Sequence, residues 1–288
     1  FKEDLDSFDA LFRQFVYEKF IKRVQVLHRP SAVQMQRLIL DAEEEKDDMD
    51  ILSKLCWAYF VNGSFAEAEQ TARKVLDSRQ KDGLALYTMG MLTLRNAGNN
   101  PVANAVAVDF LKRTVEAGIK DFALFLTLAR LYQDEDPDEA AKFYYKALLA
   151  FPEYVGQSNP YSALIQISQA KGNTEEMVSL MEKLCEFNAL ELGARVYLTR
   201  FYMGFKDNKN AARWLQGIID CVPQMNDIPN GVANIHPTFA KMLESLEKWE
   251  KASVEWQAVA ALTKNNDKQK AEYLFNAAEN FYKAKIYV

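Results

Sequence analysis

The sequence predicts an all-α fold built from repeated antiparallel helix pairs, and three observations predict it. Breakers are scarce: 11 glycines and 8 prolines in 288 residues, about 7% against an average near 12%. Apolar residues reach 49%, which supports a sizeable core. A segment also recurs, because Ala140 and Ala211 stand 71 residues apart and so do Pro152 and Pro223. That interval is two periods of about 35, the range of stacked supersecondary repeats.

The recurring segment runs from Asp136-Pro137 through Ala140, Tyr144 and Ala147 to Pro152, and again through Ala211, Leu215 and Ile218 to Pro223. Both copies resemble the second helix, helix B, of a tetratricopeptide repeat (TPR). That family places a small residue early, a large one four later, a small or apolar one three beyond, and a closing proline. Small residues on one face let helix B approach helix A closely, while the larger one fills the groove beside it. The resemblance implies a right-handed superhelical solenoid over residues 49–288. Its units are degenerate: the tryptophan expected in helix A is missing throughout, and the expected glycine survives only at Gly90.

Residues 1–48 read as an N-terminal helical pair, either a cap or a divergent repeat. Phe8, Leu11, Phe12, Phe15, Val16, Lys19, Phe20 and Val24 follow the 3–4 spacing of a first helix. Arg29-Pro30-Ser31 breaks it, with Ser31 a fitting N-cap for a second helix carrying Val33, Met35, Leu38 and Ile39. Asp41 to Asp50 is dense in carboxylates, a solvated helix end or else a docking patch for a basic partner.

Residues 49–288 follow as about six repeats plus a final unpaired helix A. Leu52, Leu55, Cys56 and Tyr59 open the first, with Gly63 at the turn and Phe65, Ala68 and Ala72 beyond. Leu86, Met89 and Gly90 precede an expanded turn at Asn96–Pro101, then Ala107, Leu111 and Val115. Phe125, Leu128, Ala129 and Tyr132 form the helix A before Ala140. Tyr161, Leu164 and Ile165 lead through Gly172-Asn173 to Met177, Met181 and Leu184, and Leu198 and Tyr202 precede Ala211. The proline-rich stretch 222–237 reads as an inserted loop. Phe239, Ala240 and Leu243 then pair with Trp249, Ala252, Trp256 and Val259. The last helix A carries Leu274, Phe275, Ala277, Ala278, Phe281, Tyr282 and Ile286. Terminal repeats normally present a polar outer face, so this apolar end predicts a longer protein, a covering partner, or self-association through the C-terminal helix.

Chemistry was sought in the motifs and is not found there. The two histidines, His28 and His236, are far apart, and there is no HExxH, P-loop, GxGxxG, GxSxG or paired-cysteine motif. His236, beside Pro237, reads as a turn or cap residue, and Glu43-Glu44-Glu45 and Glu135-Asp136 as solvated charge. No cofactor and no enzyme activity are expected. Lys+Arg of 35 against Asp+Glu of 40 gives a net charge of −5, which argues against a nucleic-acid partner. No apolar run approaches the ~20 residues that span a bilayer. Cys56, Cys185 and Cys221 are odd in number and widely spaced. They read as buried free thiols, pointing to a reducing, cytoplasmic setting.

The resemblance implies a concave groove lined by helix A residues. In this register the partner-binding residues are Trp57, Phe60, Tyr87, Met91, Leu94 and Leu126 in an apolar half, and Arg130, Gln133, Gln166, Gln169, Arg200 and Lys241 in a polar one. Exposed aromatics and methionine suit an apolar peptide or amphipathic helix, and the arginines an acidic group. The groove is either open or covered at Trp57 and Phe60 by residues 1–48. The Lys and Asn clamp of chaperone-tail binders is replaced by Ser53 and Trp57, Tyr87 and Met91, and Leu126 and Arg130, which disfavours such tails. The function expected is a non-catalytic protein-interaction scaffold that binds a protein or peptide partner in the groove. The alternative is a regulatory module of a larger signalling protein or enzyme whose catalytic domain lies outside residues 1–288.

Overall fold

The structure, a computed structural model, describes residues 5–16, 24, 26–98, 100–221, 235–263 and 266–284. The described residues form fifteen helices and no strands. They divide into two compact units, residues 1–167 and 168–288.

The first unit contains α1 (Leu5–Val16), α2 (Ala32–Glu44), α3 (Met49–Asn62), α4 (Phe65–Ser78), α5 (Gly83–Ala97), α6 (Pro101–Glu116), α7 (Phe122–Tyr132) and α8 (Pro137–Ala150). The next helix, α9 (Pro160–Ala170), carries the boundary between units. Helices α3 and α4, α5 and α6, and α7 and α8 pack as antiparallel pairs, and each pair packs on the next. The fold is TPR-like. Sequence chemistry sets the starts: Asp48, Asp82, Asn100, Asp121 and Asp136 each accept a backbone N–H of the first turn they cap. The pairs close as the register predicts. Ala68, Ala72, Ala107, Ala140 and Ala147 are completely buried, because only a methyl fits where two helices come this close. Gly90 is the extreme case, since a Cβ there would lie 2.7 Å from Leu111 Cδ2.

The second unit contains α10 (Thr174–Phe187), α11 (Leu192–Gly204), α12 (Asn208–Cys221), α13 (Ile235–Ser245), α14 (Trp249–Leu262) and α15 (Asp267–Lys283). Pairs α11–α12 and α13–α14 follow the same pattern, and α15 packs on α14. Its core joins Ala211, Leu215, Ile218, Phe239, Met242, Leu243 and Ala252. Several of the tight turns within pairs use a left-handed residue. Gly63 supplies one after α3, but Lys206 and Glu247 take that conformation after α11 and α13, at φ 59° and 56°.

Two expectations about boundaries change. Val24, expected in the first helix, is not helical, while Arg29 and Pro30 form the expected break. Residues 235–237 belong to α13 rather than to a loop, since Pro237 in a first turn has no N–H to lose from the helix. The rest of the expected loop, 222–234, lies outside the described residues, as do Lys19, Phe20 and Ile286. The second expected N-terminal helix is present as α2, with Ser31 and Gln34 forming a reciprocal capping box. Cys56, Cys185 and Cys221 are buried free thiols.

Candidate functional site

The helix A face of the first unit is built around an aromatic stack. Trp57 of α3 lies on Tyr87 of α5 with centroids 4.6 Å apart and rings 15° from parallel. Phe60, one turn on from Trp57, stacks on it at 5.6 Å and meets Phe65 edge-on. The guanidinium of Arg95 caps Phe65 at 3.7 Å.

This face is occupied by the chain itself. The non-helical segment Val26–Pro30 crosses it as a strap, held at two points. The backbone N–H of Leu27 donates to Asp121 Oδ2 at 2.8 Å. The Arg29 guanidinium donates through Nε and Nη2 to Asn62 Oδ1 at 3.1 and 3.0 Å. Beside the strap lies a cavity of about 400 Å³, walled by Leu27, Pro30, Leu38, Trp57, Ala58 and Leu84 among others.

Asp121 is the pivot. It is 2% exposed and accepts three neutral donors: the N–H of Leu27, the N–H of Leu124 at 2.8 Å and the hydroxyl of Tyr87 at 2.9 Å. Burial, then the Asp121 charge and hydrogen bond, push the Tyr87 pKa upward, so this hydroxyl stays a donor. A helix cap is thereby shared with a segment 94 residues away in sequence. The aspartate is legible as an N-cap before the apolar run of α7. Its bond to Leu27 has no local signal, and neither has the partnership of Arg29 with Asn62.

Burial differs along the residues expected to line the groove. Tyr87 and Leu126, expected as exposed groove residues, are 1% and 8% exposed; Tyr87 is enclosed by the Trp57 ring and Asp121. Trp57, Phe60, Met91 and Leu94 are half-buried. Arg130 and Gln133 are exposed, and Gln133 accepts a hydrogen bond from the buried Tyr144 hydroxyl. Gln166 is exposed on α9. In the second unit, Gln169 lines a cleft of about 230 Å³ with Met177, Met181 and Tyr197, and Arg200 and Lys241 are exposed on α11 and α13.

His236, expected as a turn residue, sits in the first turn of α13 with Nδ1 2.7 Å from Glu255 Oε2 of α14, pinning that pair. The acidic run is tied down in part, with Asp47 bonded to Lys74 and Asp50 to Arg79. Arg79 holds the Asp50 carboxyl below the usual carboxylate range. Among the described residues, no His, Cys, Asp and Glu side chains cluster so as to hold a metal ion, and no helix is long and apolar enough to cross a membrane.

No family model matches the chain, and no curated protein matches it. Among solved structures, it is similar to YrrB, described as a TPR protein with an unusual peptide-binding site, at 17% identity and TM-score 0.46, over 65% of this chain and 92% of that one. It is similar to the C-terminal part of a TPR repeat-containing protein from Cytophaga hutchinsonii at 13% identity and TM-score 0.44, over 84% and 94%. It is also similar to a tetratricopeptide repeat protein from Parabacteroides merdae at 14% identity and TM-score 0.39, over 85% and 91%.

Proposed function

We propose that this chain is a non-catalytic interaction scaffold whose first unit seats a non-helical peptide segment on the helix A face of α3, α5 and α7. The single observation that carries this reading is the strap: the face already holds such a segment, its own residues 26–30, by a main-chain N–H on Asp121 and a guanidinium on Asn62. A buried acceptor that binds a backbone N–H accepts any non-proline residue there. The aromatic stack and the adjoining cavity supply apolar contact, and Asn62 supplies a preference for arginine two residues on. Recognition through main chain plus a few side-chain pockets is the general logic of peptide grooves.

The test uses the full chain. Leu27→Pro removes the N–H that Asp121 holds and loosens the strap. A labelled peptide copying residues 24–31 is expected to bind this variant more tightly than the wild type, measured by fluorescence anisotropy. Adding Asp121→Asn is expected to abolish the gain. Equal binding by wild type and Leu27→Pro, or binding indifferent to Asp121, would refute the reading.

Self-association is a second interaction reading, favoured by the outer side of α15, where Phe275 and Tyr282 are 68% and 78% exposed. It predicts a mass that rises with concentration in light scattering, and a constant monomer mass would end it.

A further inference from the structure

A second surface with the chemistry of a recognition site lies in the second unit, along the seam of α10 and α11. Three aromatics, Tyr197 and Phe201 of α11 and Phe205 at its C-cap, form a ladder at four-residue spacing. Tyr197 and Phe201 stack at 6.4 Å, Phe201 and Phe205 meet at 4.9 Å with rings tilted 53°, and Phe205 is 72% exposed. Beside the ladder is a cleft of about 480 Å³ whose walls include Val178, Phe201, Tyr202 and Phe205, with Glu175 and Glu182 the charged groups lining it.

These two carboxylates have no cation. Glu175, exposed at the start of α10, forms no ion pair or hydrogen bond among the described residues. Glu182 accepts the Tyr202 hydroxyl at 2.7 Å through Oε1, and its Oε2 takes no partner there. Other charges near the cleft are Asp207, Lys206 and Arg213. Asp207 is engaged by Asn210, Arg213 lies over Trp214 and 3.8 Å from Glu186, and Lys206 adjoins Phe205. The Tyr202 pKa is pushed up to about 12, by burial and then by Glu182.

An aromatic face and a carboxylate attract the same ligand. Ring quadrupoles favour a cation over their faces, and an unpaired carboxylate favours a cationic donor. A guanidinium meets both demands, because its plane stacks on a ring while its edge presents two N–H groups to a carboxylate. The geometry points to a docking cleft for an arginine side chain carried on an apolar-flanked basic peptide of a partner protein. The guanidinium would lie against Phe205 and donate to Glu175, with the Glu182 carboxylate adding negative charge to the same cleft. This surface is independent of the strap and of the seat at Asp121.

The test measures anisotropy of two labelled peptides on the full chain, one of alternating leucine and arginine and one with citrulline in place of arginine. Citrulline keeps the shape and removes the charge. The arginine peptide is expected to bind at least tenfold more tightly. Phe205→Ala, at an exposed position, is expected to weaken it about threefold to fivefold, and the double variant Phe205→Ala/Glu175→Gln at least tenfold, with unchanged helicity. Glu43→Gln/Glu44→Gln, which removes two negative charges elsewhere, and Asp121→Asn are expected to leave binding unchanged. Equal binding of the two peptides, no effect of the cleft variants, or an equal loss in the Glu43/Glu44 control would each overturn the assignment.

Discussion

Replacing Asp121 separates two roles of one carboxylate. In Asp121→Ala all three donors lose their acceptor. Loss of the N-cap costs about 1 kcal/mol. Stranding the Tyr87 hydroxyl, in a residue 1% exposed, costs about 1–3 kcal/mol. The N–H of Leu27 is only partly buried, so water replaces much of its bond. These effects share one side chain and do not add fully, which gives a loss of roughly 3 kcal/mol. At 2–4 °C per kcal/mol for a unit of this size, the melting temperature falls by about 6–12 °C.

Asp121→Asn behaves differently. Its carbonyl oxygen still serves Tyr87 and Leu124, while its amide group faces the N–H of Leu27, donor against donor. The cost is then about 1.4 kcal/mol, concentrated in the strap and equivalent to a tenfold change in its opening. Amide hydrogen exchange checks this residue by residue. The Leu27 amide is expected to exchange about tenfold faster in Asp121→Asn, with Leu124 still protected. If Leu27 exchanges equally in both proteins, or if Asn destabilises as much as Ala, the strap is not held by Asp121.

Other outcomes follow from the same contacts. Gly90→Ala gains about 1 kcal/mol of helix propensity, yet its Cβ would lie 2.9 Å from Leu111 Cγ and 3.3 Å from Phe110 Cβ; overpacking of about 1–3 kcal/mol wins, and a higher denaturation midpoint would refute that. Lys206→Gly and Glu247→Gly relieve left-handed side chains, so each is expected to raise stability by about 0.5–1 kcal/mol in urea unfolding. Burial pushes the Cys56 thiol up to about 12 and the Cys185 thiol up to about 11. Neither is expected to react with a disulfide reagent at pH 8 faster than the chain unfolds, and rapid labelling in the native state would contradict their burial. The carboxyl of Asp207 is held below its ordinary value by the backbone N–H and side chain of Asn210. A depressed folded pKa contributes stability above the unfolded value that is lost as pH falls through the folded one. Asp207→Ala is therefore expected to flatten the acid side of the stability–pH curve, and an unchanged slope would count against the bond.

What the sequence determined by itself is the repeating unit. Periodic apolar residues, the small residues Ala140 and Ala211, the glycine at Gly63 and the aspartates Asp48, Asp82, Asp121 and Asp136 act within one or two turns of helix, so their consequences are local and readable. The helix pairs follow from them, with Ser31 and Gln34 capping the start of α2 as their spacing demands. The tertiary structure decided what lies on the faces those pairs expose. Tyr87 has the spacing of a groove residue, but it is buried because its hydroxyl reaches Asp121, 34 residues on. The strap bonds to that same carboxylate, and Arg29 finds Asn62 across another 33. Likewise, nothing in the sequence around Phe201 and Phe205 marks them out, and only the packing of α10 against α11 sets Glu175 and Glu182 beside them. A periodic pattern specifies which side of a helix meets its neighbour. Bonds between residues distant in the chain depend on where whole helices come to rest, and no window of sequence encodes that.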